Sequence, residues 1–332
     1  MIVTICIMLA LGVLMLFGSF FNPLIEKMFA NNFKVVSNQN SLLVHYISVG
    51  NSDAIAINLP DGKVAFIDAG TGRKSVTVLD YVKNNVLLGN SNKIDYIFLT
   101  HTDEDHIGNA KKLIERYNVG TVYMPATEAD TNVYTELKNY VENHNISTKE
   151  FLGATDIENG YKIEILGPVT VKKTDSNASC PIIKLTYKDT SFLFAGDVPT
   201  YTEQKYITEY GEQLDADILK VAHHGSKSSS SLDFLQKVTP DIAVISCGEG
   251  TTAEVGAIVL ENLSKVGAQV VRTDKVGNIV IKVKDDLKMY TGDISITNLS
   301  LDYRNVLIIV EVVLGVQCLL IVVIKKKKVH KK

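Results

Sequence analysis

Apolar and polar positions follow two rhythms between residues 41 and 292. Short runs rich in β-branched residues, bounded by Gly or Pro turns such as Pro60-Asp61-Gly62, predict strands over 42–49, 54–59, 63–68 and 94–99. The same pattern returns over 161–166, 182–187, 191–195, 217–221, 242–246, 278–283 and 287–290. Helical spacing of apolar residues predicts helices over 75–88, 110–117, 129–145, 202–210, 229–238 and 254–266. The order is strands, helix, strand, helix, repeated roughly twice. It implies two mixed sheets packed face to face with helices outside, a four-layer αββα sandwich. Neither a short-period repeat nor a long low-complexity tract interrupts the series, so 41–292 is expected to be one domain.

The two ends have a different character. Residues 1–21 contain an apolar stretch, Ile2 to Phe21, of membrane-spanning length, and Val306 to Ile324 form a second whose only charge is Glu311. The first is expected to be a retained anchor or signal-anchor and the second a transmembrane helix. An Asn-rich linker, 22–40, would join the first to the domain. Lys325 to Lys328, with Lys331 and Lys332, make residues 325–332 a basic tail, expected to be cytoplasmic by the positive-inside rule. The domain between the spans would then face outward from the cell membrane.

Charge narrows the partners. Formal net charge is −3, and setting aside the six lysines of the tail leaves −9 for the remainder. An acidic domain has no general attraction to nucleic acid, so binding of that kind would need a local patch. Lys111, Lys112, Arg116, Lys220 and Lys227 are the basic residues nearest in sequence to the motifs described next. Cys180 and Cys247 are the only cysteines outside the apolar ends, open either to one disulfide or to two buried thiols.

The densest chemistry is Thr100-His101-Thr102-Asp103-Glu104-Asp105-His106, directly after the apolar run Ile94 to Leu99. Four side chains able to bind a metal within six residues, at a turn fixed by a buried strand, are a natural metal mount. Two other apolar runs end alike, one in Gly196-Asp197 and one in His223-His224-Gly225-Ser226. Ends of neighbouring strands converge on one sheet edge, which would gather all three. The run Gly225 to Ser231, with five serines and one lysine, suits either a phosphate-binding turn or an ordinary Ser-rich helix cap.

These residues carry a resemblance to the metallo-β-lactamase fold, and more narrowly to the extracytoplasmic domain of ComEC-type DNA-uptake (competence) proteins. It runs over about 42–291 through Val44-His45-Tyr46 to Ser52-Asp53-Ala54, Phe66-Ile67-Asp68-Ala69-Gly70, His101-x-Asp103-x-Asp105-His106, Asn177-Ala178-Ser179, Gly196-Asp197 and His223-His224-Gly225-Ser226-Lys227-x-Ser229. It implies two divalent ions, zinc or manganese. His101 and Asp103 would hold one and Asp105 and His106 the other, with Asp197 bridging and His223 or His224 completing the second site. Asp105 and Asp197 would be the catalytic carboxylates, and Asp68 would orient a ligand histidine. Gly225, Ser226, Lys227, Ser229, Asn177 and Ser179 would contact substrate phosphate. Departures from the family pattern are Ser48 in place of an acidic residue, Asn51-Ser52 in place of Gln-Gly, Ser176 in place of Asn, and a missing histidine for which Glu254 is the nearest substitute.

The resulting expectation is a membrane-anchored extracytoplasmic phosphodiesterase or nuclease acting on DNA, with the membrane and the DNA-uptake machinery as partners. The alternatives are hydrolysis of another ester or thioester, or a surface binding module impaired in catalysis.

Overall fold

A computed structural model describes residues 33–36, 40–87, 92–151, 157–248, 255–292 and 294–297. The apolar segments 1–21 and 306–324, the tail 325–332 and Glu254 lie outside the described residues. Among the described residues no helix is long and apolar enough to cross a membrane.

Among the described residues seventeen strands are formed. They are β1 (Phe33–Val36), β2 (Leu42–Tyr46), β3 (Ala54–Asn58), β4 (Val64–Ala69), β5 (Lys93–Phe98), β6 (Asn118–Met124), β7 (Thr148–Glu150), β8 (Ile157–Glu158) and β9 (Lys162–Leu166). The rest are β10 (Ile182–Tyr187), β11 (Thr190–Phe194), β12 (Ile218–Lys220), β13 (Ile242–Ile245), β14 (Gln269–Arg272), β15 (Ile279–Val283), β16 (Leu287–Thr291) and β17 (Ile294–Thr297). One sheet has the order β16-β15-β2-β3-β4-β5-β6-β7 and the other β14-β13-β12-β11-β10-β9-β8. Inside the expected linker, β1 pairs in parallel with β17.

Period-two alternation builds the layers. In β2 and β3, Leu42, Val44, Tyr46, Ile55 and Ile57 face the other sheet, while Ala54 and Ala56 face helices. In β11, Phe192 and Phe194 join the same central core, whereas Leu193 and Ala195 pack under helices on the far side. Helices α1 (Ser75–Tyr81), α2 (Glu104–Ile107), α3 (Ala110–Arg116) and α4 (Asn132–Asn143) precede β7. Of these α1, α3 and α4 bury residues such as Val78, Leu113 and Leu137 on the outer face of the first sheet. Helices α5 (Thr200–Tyr210), α6 (Leu232–Val238) and α7 (Ala257–Lys265) bury Tyr206, Phe234 and Leu263 on the outer face of the second, and the short α8 (Thr273–Val276) follows β14. The layers are therefore helix, sheet, sheet, helix.

Strands β4, β5 and β6 run parallel, as do β11, β12, β13 and β14. Their carboxyl ends consequently open at one edge of each sheet, where the motif residues lie: Asp68 is the penultimate residue of β4, His101 follows β5, Asp197 follows β11 and His223 follows β12. Several elements escaped the sequence pattern. β6 was masked by Gly120, where a Cβ would lie 2.6 Å from the Asp95 carbonyl oxygen, so the glycine permits close strand approach rather than ending a strand. β14 is only four residues long, too short to display a period of its own. Cys180 and Cys247 are both buried and free, which answers the question left open by their spacing.

Candidate metal centre

His101, His106, His224 and Asp197 come together at this edge, each at most 3% exposed. The Asp197 carboxylate oxygen Oδ2 lies 3.3 Å from His106 Nε2, 3.7 Å from His224 Nε2, 3.8 Å from His223 Nε2 and 3.9 Å from His101 Nε2. Asp103 reaches the His101 side, with Oδ2 at 3.7 Å from His101 Nε2. Asp105 reaches the other, its Oδ2 at 3.2 Å from His224 Nε2 and 4.0 Å from His106 Nε2. Two groups of donors thus share one carboxylate: His101 with Asp103, and Asp105 with His106 and His224. His223 is the less buried of the paired histidines, and its Nδ1 lies 3.4 Å from Ser228 Oγ.

Each buried imidazole is fixed through its far nitrogen. His106 Nδ1 pairs with Asp68 Oδ2 at 2.7 Å, and Asp68 also accepts from the Thr100 amide and hydroxyl at 2.8 Å each. His224 Nδ1 bonds the Ser246 carbonyl at 3.0 Å, and His101 Nδ1 the Thr100 hydroxyl at 3.0 Å. Such partners set the tautomer that leaves Nε2 free for a cation. Asp103 is held from the opposite side by the Ser176 hydroxyl at 2.6 Å, so the serine that departs from the family pattern still reaches the centre.

The backbone carries strain here. Asp68, His223 and His224 have φ of 56°, 50° and 53° without being glycine. Each such residue costs on the order of 1–3 kcal/mol and persists only where surrounding structure enforces it. The consecutive left-handed pair turns both imidazoles towards Asp197, and the His223 amide donating to the Gly196 carbonyl at 3.0 Å ties the two strand ends together.

Electrostatics favour positive charge in the gap. Burial alone would raise the Asp197 carboxyl, but His106, His224 and Lys220 more than offset it and hold it well below the ordinary range. Burial would lower the His106 imidazole, yet Asp197 and Asp68 push it well above its usual value. Asp105 falls to about 2, where burial is outweighed by the hydrogen bond from His224 and the nearby charge of His106. The neighbouring His101 imidazole is the main reason that Asp103 is lowered. Among the described residues, His101 Nε2 and His106 Nε2, both facing Asp197 Oδ2, are buried without a hydrogen-bond partner. Orphaned buried polar atoms of this kind call for a missing partner. A divalent cation coordinated by imidazole nitrogen and carboxylate oxygen fits them.

Other expected contacts fall differently. The Ser229 side chain is buried and Gly225 is enclosed, where a Cβ would meet Val255 Cγ1 at 2.9 Å. The amides of Ser230 and Ser231 already donate to the buried carboxylate of Glu203, and Ser231 caps α6 through the Phe234 amide. In the run 225–231 the amides of 230 and 231 and the Ser231 hydroxyl are thus taken up by the fold, while the buried Ser229 and Ser230 hydroxyls have no hydrogen-bond partner; Ser226 is half-exposed and Lys227 exposed. Ser179 is engaged in its own loop, accepting from the Lys172 amide at 2.8 Å, and Asn177 is half-buried beside Ser176. Lys220 is 1% exposed, so it belongs to no surface patch. Burial by itself disfavours its ammonium, but Asp53 and Asp197 reverse that and its pKa lies above the ordinary lysine value. Asp53 was not singled out as a site residue. Four ligand atoms of Asp53, His106, Asp197 and His224 lie within 4.8 Å of one another.

Comparison with family profiles identifies the family. The profile of the Metallo-beta-lactamase superfamily matches residues 47–249. ComE operon protein 3 of Bacillus subtilis (strain 168) is 26% identical over 215 residues, covering 62% of this chain and 28% of that protein. Recombination protein 2 of Haemophilus influenzae is 29% identical over 211 residues, covering 62% of this chain and 24% of that one. The chain thus spans less than a third of the length of these curated relatives. They are consistent with the resemblance to ComEC-type competence proteins. Among solved structures, Igni18, a metallo hydrolase from Ignicoccus hospitalis, is similar with a TM-score of 0.45 and 16% identity, over 74% of this chain and 100% of that one.

Proposed function

The chain belongs to the metallo-β-lactamase superfamily, and from that premise we propose that it is a hydrolase of phosphodiester bonds acting on DNA with two divalent ions, zinc or manganese. The observation that carries this reading is the convergence of four imidazole Nε2 atoms, all within 3.9 Å, on one buried oxygen of Asp197. His101 and Asp103 would hold one ion and Asp105, His106 and His224 the other, with Asp197 between them. His223 would complete the first set. When bound, the ions supply Lewis acidity and a nucleophilic water near neutral pH.

The protein's own residues do the rest. Asp68 and the Ser246 carbonyl hold His106 and His224 with Nε2 forward. Ser176 keeps the exposed Asp103 turned inward. Asp105 and Asp197 stay ionised through the neutral range and so remain available to cations. Because the amides of 230 and 231 are taken by Glu203, substrate phosphate would be met by Ser226, Lys227 and Asn177 at the rim. The DNA substrate rests on the resemblance to DNA-uptake proteins and on the relatives ComE operon protein 3 and Recombination protein 2, in which this chain corresponds to only part of the protein. Placement of the domain on the outer side of a membrane, between the spans 1–21 and 306–324, belongs to the same proposal.

Full-length protein in detergent, stripped and reloaded with zinc or manganese, would be assayed on single-stranded DNA, a small chromogenic phosphodiester and a chromogenic carboxylic ester. Turnover of either phosphodiester without turnover of the ester is expected. Ester turnover alone would replace this reading with that of a carboxylic esterase or thioesterase.

A further inference from the structure

Among the described residues, Lys220 is the one lysine or arginine in the interior, and the metal reading leaves it without a role. It sits at the end of β12, three residues before His223. Its ammonium pairs with Asp53, donates to the Gly196 carbonyl at 3.2 Å and lies 3.8 Å from Asp197 Oδ1. Asp197 is therefore flanked by positive or protonatable groups on two sides, with Oδ2 towards the imidazoles and Oδ1 towards the ammonium.

Asp53 closes the arrangement from behind. Its oxygens lie 3.8 Å from His106 Nδ1 and 3.8 Å from His224 Nδ1, the nitrogens on the far side of each ring from the Nε2 atoms that face Asp197. Both Nδ1 atoms already have other partners, Asp68 and the Ser246 carbonyl. Distance alone would admit Asp53 as a metal ligand, but the ring orientation puts it at the back of the centre, neutralising Lys220. Its backbone meanwhile reaches the other ligand loop: the Asp53 amide donates to the Asp105 carbonyl at 3.2 Å, and the Ser52 hydroxyl donates to the same oxygen. One buried ion pair thus touches the supports of Asp105, Asp197 and, through β12, the paired histidines.

We propose that Lys220 and Asp53 form a positioning pair: Lys220 fixes the rotation of the Asp197 carboxylate so that Oδ2 is presented to the ions, and Asp53 keeps the ammonium from moving fully onto Asp197. A buried ion pair seldom adds stability over apolar residues of similar volume, so its presence fits a role in orientation. The inference rests on the metal centre but not on the identity of the substrate.

The test uses full-length protein in detergent and reads metal rather than turnover. Metal affinity by chelator competition, the visible absorption of the cobalt-loaded form and the melting temperature would be measured for wild type, Asp53→Asn, Lys220→Met with Asp53→Leu together, and each single change of that pair. The single changes to apolar residues leave one charge buried alone and are expected to melt early. The double change is expected to restore melting to near the wild-type temperature while binding metal at least tenfold more weakly, with an altered cobalt absorption, because nothing pins Asp197. Asp53→Asn, which keeps shape and volume, is expected to weaken metal binding tenfold as Lys220 shifts onto Asp197. Wild-type affinity and absorption in the double variant or in Asp53→Asn would overturn the proposal. Failure of the wild-type protein itself to bind metal would instead remove the hydrolase reading, and this proposal with it.

Discussion

Replacing Asp68 with asparagine probes how the centre is held. The Asp68 carboxylate accepts three hydrogen bonds, two from Thr100 at 2.8 Å and one from His106 Nδ1 at 2.7 Å. Asparagine has one oxygen and one amino group; with its oxygen on the Thr100 amide, its amino group faces both the Thr100 hydroxyl and His106. The imidazole must turn Nδ1 into an acceptor, which moves its proton to Nε2, the atom that faces Asp197. Asparagine tolerates the left-handed backbone at this position, where φ is 56°, so the fold has no further reason to fail. Losing a partner that orients a ligand histidine lowers metal affinity by about 10–100-fold, or about 1.4–2.7 kcal/mol. Chelator competition on full-length Asp68→Asn, beside thermal melting, would measure it. Metal affinity unchanged within twofold would refute the assignment of Asp68 as the residue that orients His106. So would a fall in affinity fully accounted for by unfolding.

Two further changes test the scaffold. His45 is fully buried between Tyr81 and Asn58, and its pKa is lowered from 6.5 to about 4 chiefly by burial. Because the unfolded chain binds this proton more readily, the contribution is complete above pH 6.5 and is lost as pH falls from 6.5 towards 4, amounting to about 3 kcal/mol. Denaturation of wild type and His45→Gln in the presence of chelator should show a steeper acid loss in the wild type, and equal slopes would count against it. At Gly108 a Cβ would lie 2.5 Å from the Glu104 carbonyl oxygen and collide with the backbone of Gly72. Gly108→Ala should cost about 1–3 kcal/mol and displace the Asp105-His106 turn, lowering both melting temperature and metal affinity; a melting curve like that of the wild type would show that the turn can yield.

The alternation of apolar residues in 42–59 and 191–195 made the sheets and their buried faces readable in advance, because each inward position had to be apolar. The candidate site residues stood out because they follow apolar runs of the same kind, His101 to His106 after 94–99, Asp197 after 191–195 and the paired histidines after 217–221. What stayed hidden was long-range pairing. Nothing local to Lys220 announces Asp53, 167 positions away, although a lysine within the apolar run Ile218 to Ala222 was a signal that it needed a buried partner. Likewise the serines of 226–231 looked available to phosphate until Glu203, from another helix, was found on their amides. Hydroxyl-rich turns read the same in sequence whether their donors face solvent or a buried carboxylate.

The central claim is that Asp197 holds ions that cut a phosphodiester. The most direct test is metal content and single-stranded DNA cleavage, measured together on full-length wild type and Asp197→Ala after reloading with zinc or manganese. The account predicts bound metal and metal-dependent cleavage in the wild type, with both lost in a variant that still melts cooperatively. Cleavage that survives in Asp197→Ala, or a metal-loaded wild type inert towards every phosphodiester tried, would contradict it.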